Sequence, residues 1–189
     1  MENKPAVLQT NLPTIAELFD DNIETVAKSE GLNALLNVPP PDKWVKTHPY
    51  AKDHKYIPID KVEYLLRKIF KQYNIEITGQ GTAFNGVWVT VRVHYLDPAT
   101  GTMRFHDGIG AAQLQTKSGS SPADLQNINN GAVSMAFPIA KTLAVKDACD
   151  HFGKLFGSDL NRKEALPFSA DADILSNIKS NKDKLEDAK

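Results

Sequence analysis

Residues Val87–Leu96 alternate without interruption. Val87, Val89, Val91, Val93 and Tyr95 fall on one side of an extended chain, and Trp88, Thr90, Arg92, His94 and Leu96 on the other. A β-strand, with its two-residue side-chain period, is the element that sorts such a run into one apolar and one mixed face. The apolar face must be buried, and a lone strand cannot bury it, so the rest of the chain has to supply neighbours and a covering layer. Candidate neighbours are legible on both sides. Asn74–Thr78 alternates as a strand that Gly79–Gly81 breaks or bulges, and Asn85-Gly86 signals a turn. Asp97–Gly101 is a loop of turn residues, so a hairpin follows. Thr102–Gly110 then returns with Met103 and Phe105 on one face and Arg104 and His106 on the other.

The covering layer is predicted over Met135–Gly157. Ile139, Ala140, Leu143, Ala144, Ala148, Cys149, Phe152, Leu155 and Phe156 recur at helical spacing and form a wide apolar stripe. Thr142, Lys146, Asp150 and Lys154 follow at four-residue steps as a polar stripe, flanked by Asp147 and His151. Pro138 suits a first turn and Gly157 a stop. A second helix is expected from Pro58 or Asp60, burying Val62, Leu65, Leu66, Ile69 and Phe70. Ahead of it, the Thr14/Glu17 capping box opens a helix to about Lys28, and Leu32–Leu36 is a second short apolar piece. Pro39–Pro41 stops any helix, and Trp44–Lys46 and Tyr50–Lys55 read as irregular or extended. Gln113–Asn130 is a polar connection, and connections of that length are usually mobile or functional. The expected fold is α+β, an antiparallel β-β-β meander packed against a long α-helix. Its parts are an N-terminal helical arm (1–31), a core (32–163) and a charged, disordered tail (164–189) with a weak helical pattern at Ile174–Ile178.

Function classes are narrowed by what the chain has and lacks. Its single cysteine, Cys149, sits in the apolar stripe, which excludes a disulfide framework and a Cys-based zinc site. No run is apolar enough to span a bilayer, and no signal-peptide core is expected at the N-terminus. The net charge of −1 hides acidic ends around a basic middle between Lys46 and Lys163, which hints at a polyanionic ligand. Gly79–Gly86 is glycine-rich but lacks the lysine and following helix of a phosphate cradle. Arg92 and Arg104 are expected on one sheet face, opposite the helices. With Lys46, Lys52, Lys55, Lys146 and Lys154 they can line one groove that holds phosphates and loses affinity steeply with salt. Two readings compete with this one. His94 and His106 can meet across the hairpin beside Asp107, as a metal-dependent nuclease or phosphodiesterase would require. The acidic ends can instead serve a protein-binding oligomeric scaffold. Asp147 reads as an ion-pair or cap partner.

The order and wording of several segments resemble the Rad-fifty-two family of single-strand annealing proteins, its phage-encoded relatives in particular. The matching residues are LNVPPPDKWVK from Leu36, YIPIDKVEYLLRKIF from Tyr56, VWVTVRVHYLD from Val87, FHDGIG from Phe105 and AKTLAVKDACDHFGKLFG from Ala140. The most specific part is Ala-Val-x-Asp-Ala at Ala144–Ala148 with Phe156-Gly157 after it, and the likeness covers about Leu32–Arg162. It implies a β-β-β-α core, oligomeric rings, and a basic groove that holds single-stranded DNA with its backbone inward and its bases outward. Annealing in homologous recombination and repair would then need neither ATP nor any other cofactor, and no catalytic residue. Sheet edges left open by so small a domain suit self-association. By the same likeness Lys46 falls near a basic residue before the first helix, Lys146 and Lys154 fall on the groove-facing stripe, and Lys117 falls in a connection that carries a base. Asp150 and His151 depart from the pattern, standing where many relatives have adjacent basic residues. The long C-terminal mediator region of eukaryotic relatives is not matched, so recombinase loading is not implied. Expected partners are single-stranded DNA, further copies of the chain and a host single-strand-binding protein, with no membrane. The expected location is the cytoplasm of a bacterial or phage-infected cell.

Overall fold

Val87, Val89, Val91, Val93 and Tyr95 are all buried, while the residues alternating with them are only partly covered. The computed structural model describes residues 23–49, 51–121 and 123–163. In chain order the elements are α1 (Ile23–Leu36), β1 (Lys46–Thr47), β2 (Lys55–Tyr56), α2 (Ile59–Ile69), β3 (Tyr73–Ala83), β4 (Gly86–Leu96), β5 (Met103–Gln113) and α3 (Ala132–Asp150). Short 3-10 turns occur at Asp42–Trp44, Leu125–Asn127 and Lys154–Phe156. The fold is α+β: β3, β4 and β5 form an antiparallel sheet with β4 in the middle, and β1 and β2 form a separate two-stranded hairpin. The Thr14/Glu17 box and Ile174–Ile178 lie outside the described residues.

The sheet is covered on one face. α3 lies across β5 and β4, and the contact is made by small residues. Ala132, Ala136, Ala140, Ala144 and Ala148 are buried at four-residue steps, with Val145 and Cys149 beside them. Opposite them, Gly108 and Gly110 come so near the helix that an added Cβ would collide with the carbonyl oxygens of Ala144 and Ala140. Backbone therefore packs almost on backbone. α2 adds Val62, Leu65 and Leu66 to the same core. Phe70, at its end, stacks with Tyr95 at 4.7 Å and Phe152 at 4.4 Å between ring centroids, a spacing favourable for aromatic pairs.

β3 runs through the glycines with a register shift between Ile77 and Gly79, so they bulge the strand without ending it. On the uncovered face, a Cβ at Gly79 would lie 2.8 Å from the Thr90 hydroxyl oxygen, and one at Gly81 equally close to the Trp88 ring. The glycines make room for the indole.

Several expectations are corrected. The helix predicted over Met135–Gly157 starts at Ala132 and ends at Asp150. Gly153, at φ 123°, then turns the chain into the Lys154–Phe156 turn. Pro138 lies inside the helix, where it costs the hydrogen bond its N–H would have made one turn back. Ile139 and Leu143 are exposed at 47% and 42%, because the two glycines of β5 admit the alanine row and leave no depth for larger side chains. α1 is one helix running through Gly31, where a short helix and a separate apolar piece were expected. The segment before Tyr56, read as irregular or extended, is extended at Lys46–Thr47 and Lys55–Tyr56, which pair as the β1–β2 hairpin. Among the described residues, no helix is long and apolar enough to cross a membrane.

Candidate functional site

A cleft of about 810 Å³ lies between the β1–β2 hairpin, the outer edge of β5 and the exposed flank of α3. Each wall has a local cause. The hairpin pairs Lys46 with Tyr56 and Thr47 with Lys55, and the His48 N–H donates to the His54 carbonyl at 2.7 Å. It is held by the Asn161 side chain. The Lys55 N–H donates to Asn161 Oδ1, and Asn161 Nδ2 donates to the Lys55 carbonyl, both at 2.8 Å. The carboxamide thus imitates a neighbouring strand. His48, His54 and Tyr56 present rings to the cleft, with His48 and Tyr56 edge to face at 6.2 Å.

α3 supplies the facing wall through Ile139, Thr142, Leu143, Lys146, Asp147 and Asp150. Lys146 places its ammonium 4.5 Å from the centroid of the Tyr56 ring, tying wall to wall by a cation–π contact. Burial lowers its pKa, against the pull of Asp150 and Asp60 toward the charged form. Asp147 accepts the Ile109 N–H of β5 at 2.9 Å. That bond satisfies an edge group that would otherwise be unpaired, so Asp147 serves as a backbone partner. Asp150 is reached by solvent, yet the cleft strips enough water from it to push its pKa up to about 6, with the Asp147 carboxylate as the next cause.

The basic residues singled out from the sequence are distributed unevenly. Lys55 and Lys146 line the cleft. Lys46 and Lys52 are exposed on the same hairpin but outside the lining. Lys154 is on the 3-10 turn, 3.6 Å from Asp159, and so is not on the polar stripe of α3. Lys117 is exposed on the connection after β5 and is not among the residues lining the cleft.

Arg92 and Arg104 do not share a face. The register sets Arg92 opposite Asp107, on the uncovered face, and Arg104 opposite the buried Tyr95, on the helix-covered face. Arg92 grips Asp107 with two hydrogen bonds of 2.7 and 2.9 Å, holding that carboxyl below its ordinary pKa. Its guanidinium lies 4.0 Å from the centroid of the Phe105 ring. Arg104 pairs with Asp97 at 3.2 Å. The same parity separates the histidines. His94 opposes Phe105 and bonds Glu76 at 2.9 Å, whereas His106 opposes Val93 and bonds the Tyr95 hydroxyl at 2.8 Å. Among the described residues, no group of three or more His, Cys, Asp or Glu is placed to hold a metal ion.

Sequence reasoning passed over Tyr56, His48, His54 and Asn161 as cleft residues, and it assigned Ile139 and Leu143 to the core. One signal was present. The apolar stripe of α3 is wider than one packing face can bury, so its surplus had to surface. No family model matches the chain, and neither does any curated protein.

Proposed function

We propose that the protein binds single-stranded DNA in this cleft and promotes pairing of complementary strands without ATP, as a ring of identical chains. The observation that carries the reading is the convergence of Lys55 and Lys146 on one cleft, with Lys46 and Lys52 on the hairpin that forms its wall. A β-β-β-α order of elements, as the resemblance implies, supports it. Cations along a groove attract phosphates and release their counterions, which gives sequence-independent affinity. The protein does no bond chemistry in this scheme. It concentrates and extends strands, and base pairing supplies the driving force. The metal-dependent nuclease reading receives no support, because His94 and His106 lie on opposite sheet faces and Arg92 occupies Asp107. Ring assembly rests on the family resemblance and on the outer edge of β3, which pairs with no other strand among the described residues.

The test is the double substitution Lys55→Ala with Lys146→Ala. Binding to an oligothymidylate should weaken, and the slope of log affinity against log salt should fall by about 1.4, which is two single-strand phosphate contacts. An unchanged slope with unchanged affinity refutes the cleft as the site.

A further inference from the structure

We infer that residues 164–175 of this same chain dock in the cleft and compete there with single-stranded DNA, so that the free protein is autoinhibited. The competition rests on the single-strand reading above; the docking does not. Position is the first argument. The described residues stop at Lys163, and Leu160 and Asn161 line the cleft. The chain that follows therefore sets out from the cleft's own lining. Its starting point is fixed, because the Asn161 carboxamide makes both of its hydrogen bonds to the Lys55 backbone in the hairpin wall. The eight residues from Asn161 to Ser169 reach about 26–29 Å when extended, enough to cross to the α3 wall. So short a tether gives a docking segment an effective concentration on the order of millimolar, and weak contacts then suffice.

Complementarity is the second argument. Ile139, Leu143 and Ile109 are 47%, 42% and 62% exposed, and all three line the cleft. Beside them runs the outer edge of β5, which pairs with no other strand among the described residues and suits an added extended segment. Leu166 and Phe168 are two residues apart, so an extended backbone turns both to one side, and Pro167 biases Leu166 toward that backbone. Seating them on the three aliphatic side chains takes apolar surface of both partners out of water. Charge agrees. Residues 164–175 hold Glu164, Asp171 and Asp173 and no base. In the lining, Lys55 and Lys146 stand against Asp147 and Asp150, and Asp147 is already engaged with the Ile109 N–H. Lys46 and Lys52, exposed on the hairpin, tip the balance to positive. An acidic segment with an apolar anchor thus meets the same cations that attract phosphates, and strand and segment exclude each other.

The test uses the full chain. Thr142→Cys with Ser169→Cys puts one thiol on the α3 wall of the cleft and one beside Phe168, and it keeps every apolar side chain of the proposed contact. The native Cys149 is buried and does not compete. With oxidised glutathione, a disulfide should form within single chains about tenfold or more faster than in the same variant carrying Leu166→Ser and Phe168→Ser, and oligothymidylate should slow it. In the otherwise unaltered chain, Leu166→Ser with Phe168→Ser should raise oligothymidylate affinity by about three- to tenfold, because a docked segment leaves only a fraction of the clefts open. Equal cross-linking rates with and without the serines report the tether alone; they overturn the docking and leave single-strand binding standing. Cross-links between chains also overturn it, since the occupant is then another copy's segment. Oligothymidylate that binds without slowing the cross-link, or that binds the serine variant no more tightly than the parent, overturns the competition. Failure of parent and serine variant alike to bind any strand at low salt refutes the single-strand reading, and the competition with it, while the cross-link still reports the docking.

Discussion

Gly108 of β5 faces Ala144 of α3 so closely that the helix carbonyl occupies the space a β-carbon on the strand would need. This contact sets the height of α3 above the sheet, and so the depth of the cleft beside it. Gly108→Ala should lower stability by about 1–3 kcal/mol, because backbone on both sides resists the displacement. Gly31→Ala is the control. Gly31 is inside α1 with no atom near the position of an added Cβ, and it should gain about 0.5–1 kcal/mol. Urea denaturation of the two variants should move in opposite directions.

The contrast between these glycines shows what the sequence discloses. The alternation of Val87–Leu96 fixed a strand with one buried face, and the structure agrees nearly residue for residue. The end of α3 was not legible in the same way. Phe152, Leu155 and Phe156 are buried, so the apolar period continues after Asp150 although the helix does not. Periodicity reports burial, and a chain that turns at Gly153 and returns to the same core preserves it. The faces of Arg92 and Arg104 depended on hairpin register, which the loop decides. A shift of one residue there would exchange every face of β5. Tyr56 and Asn161 came to the cleft through contacts distant in sequence, which local pattern does not encode.

Asp150 makes the cleft sensitive to pH. Its carboxyl is pushed up to about 6, above the ordinary value of 3.8, so the folded chain holds a proton that the unfolded chain releases. Stability from this group is therefore fully present below about pH 4 and is lost as pH rises through 6. Allowing for solvent on its open side, the loss amounts to about 1 kcal/mol. Asp147 opposes ionisation, while His151, Lys146 and Arg162 favour it. Asp150→Asn should remove this slope and be the more stable form at pH 7. Denaturation between pH 4 and pH 8 checks both, and a variant that follows the parent protein at every pH would refute the assignment.

Arg92 provides a negative expectation. It is on the uncovered sheet face, bound to Asp107 and stacked on Phe105, and it is not among the residues lining the cleft. Arg92→Ala should leave oligothymidylate affinity within about twofold and the salt slope unchanged, since no phosphate contact is removed. A slope reduced by about 0.7 would instead carry the strand across the open face of the sheet.

Asn161 links the hairpin to the turn after α3, and its effect should be separable from global stability. Its carboxamide accepts from the Lys55 N–H and donates to the Lys55 carbonyl, both at 2.8 Å. Lys55 is thus fixed by a residue far along the chain. Neutral hydrogen bonds of this kind contribute about 0.5–1.5 kcal/mol each, and the hairpin they hold has a ladder of only two residue pairs. A ribbon that short is not stable alone. Asn161→Ala should therefore release the hairpin locally while the sheet and α3 persist, since Asn161 is outside the buried core. Exchange of the Lys55 amide hydrogen should accelerate by about tenfold or more, with little change at Val91 or Val93. Single-strand affinity should fall several-fold, because binding must then reorder one wall of the cleft. Rapid exchange at Lys55 with unaltered affinity would remove the hairpin from the binding surface. Acceleration spread evenly over the β4 amides would show instead that Asn161 supports the whole fold.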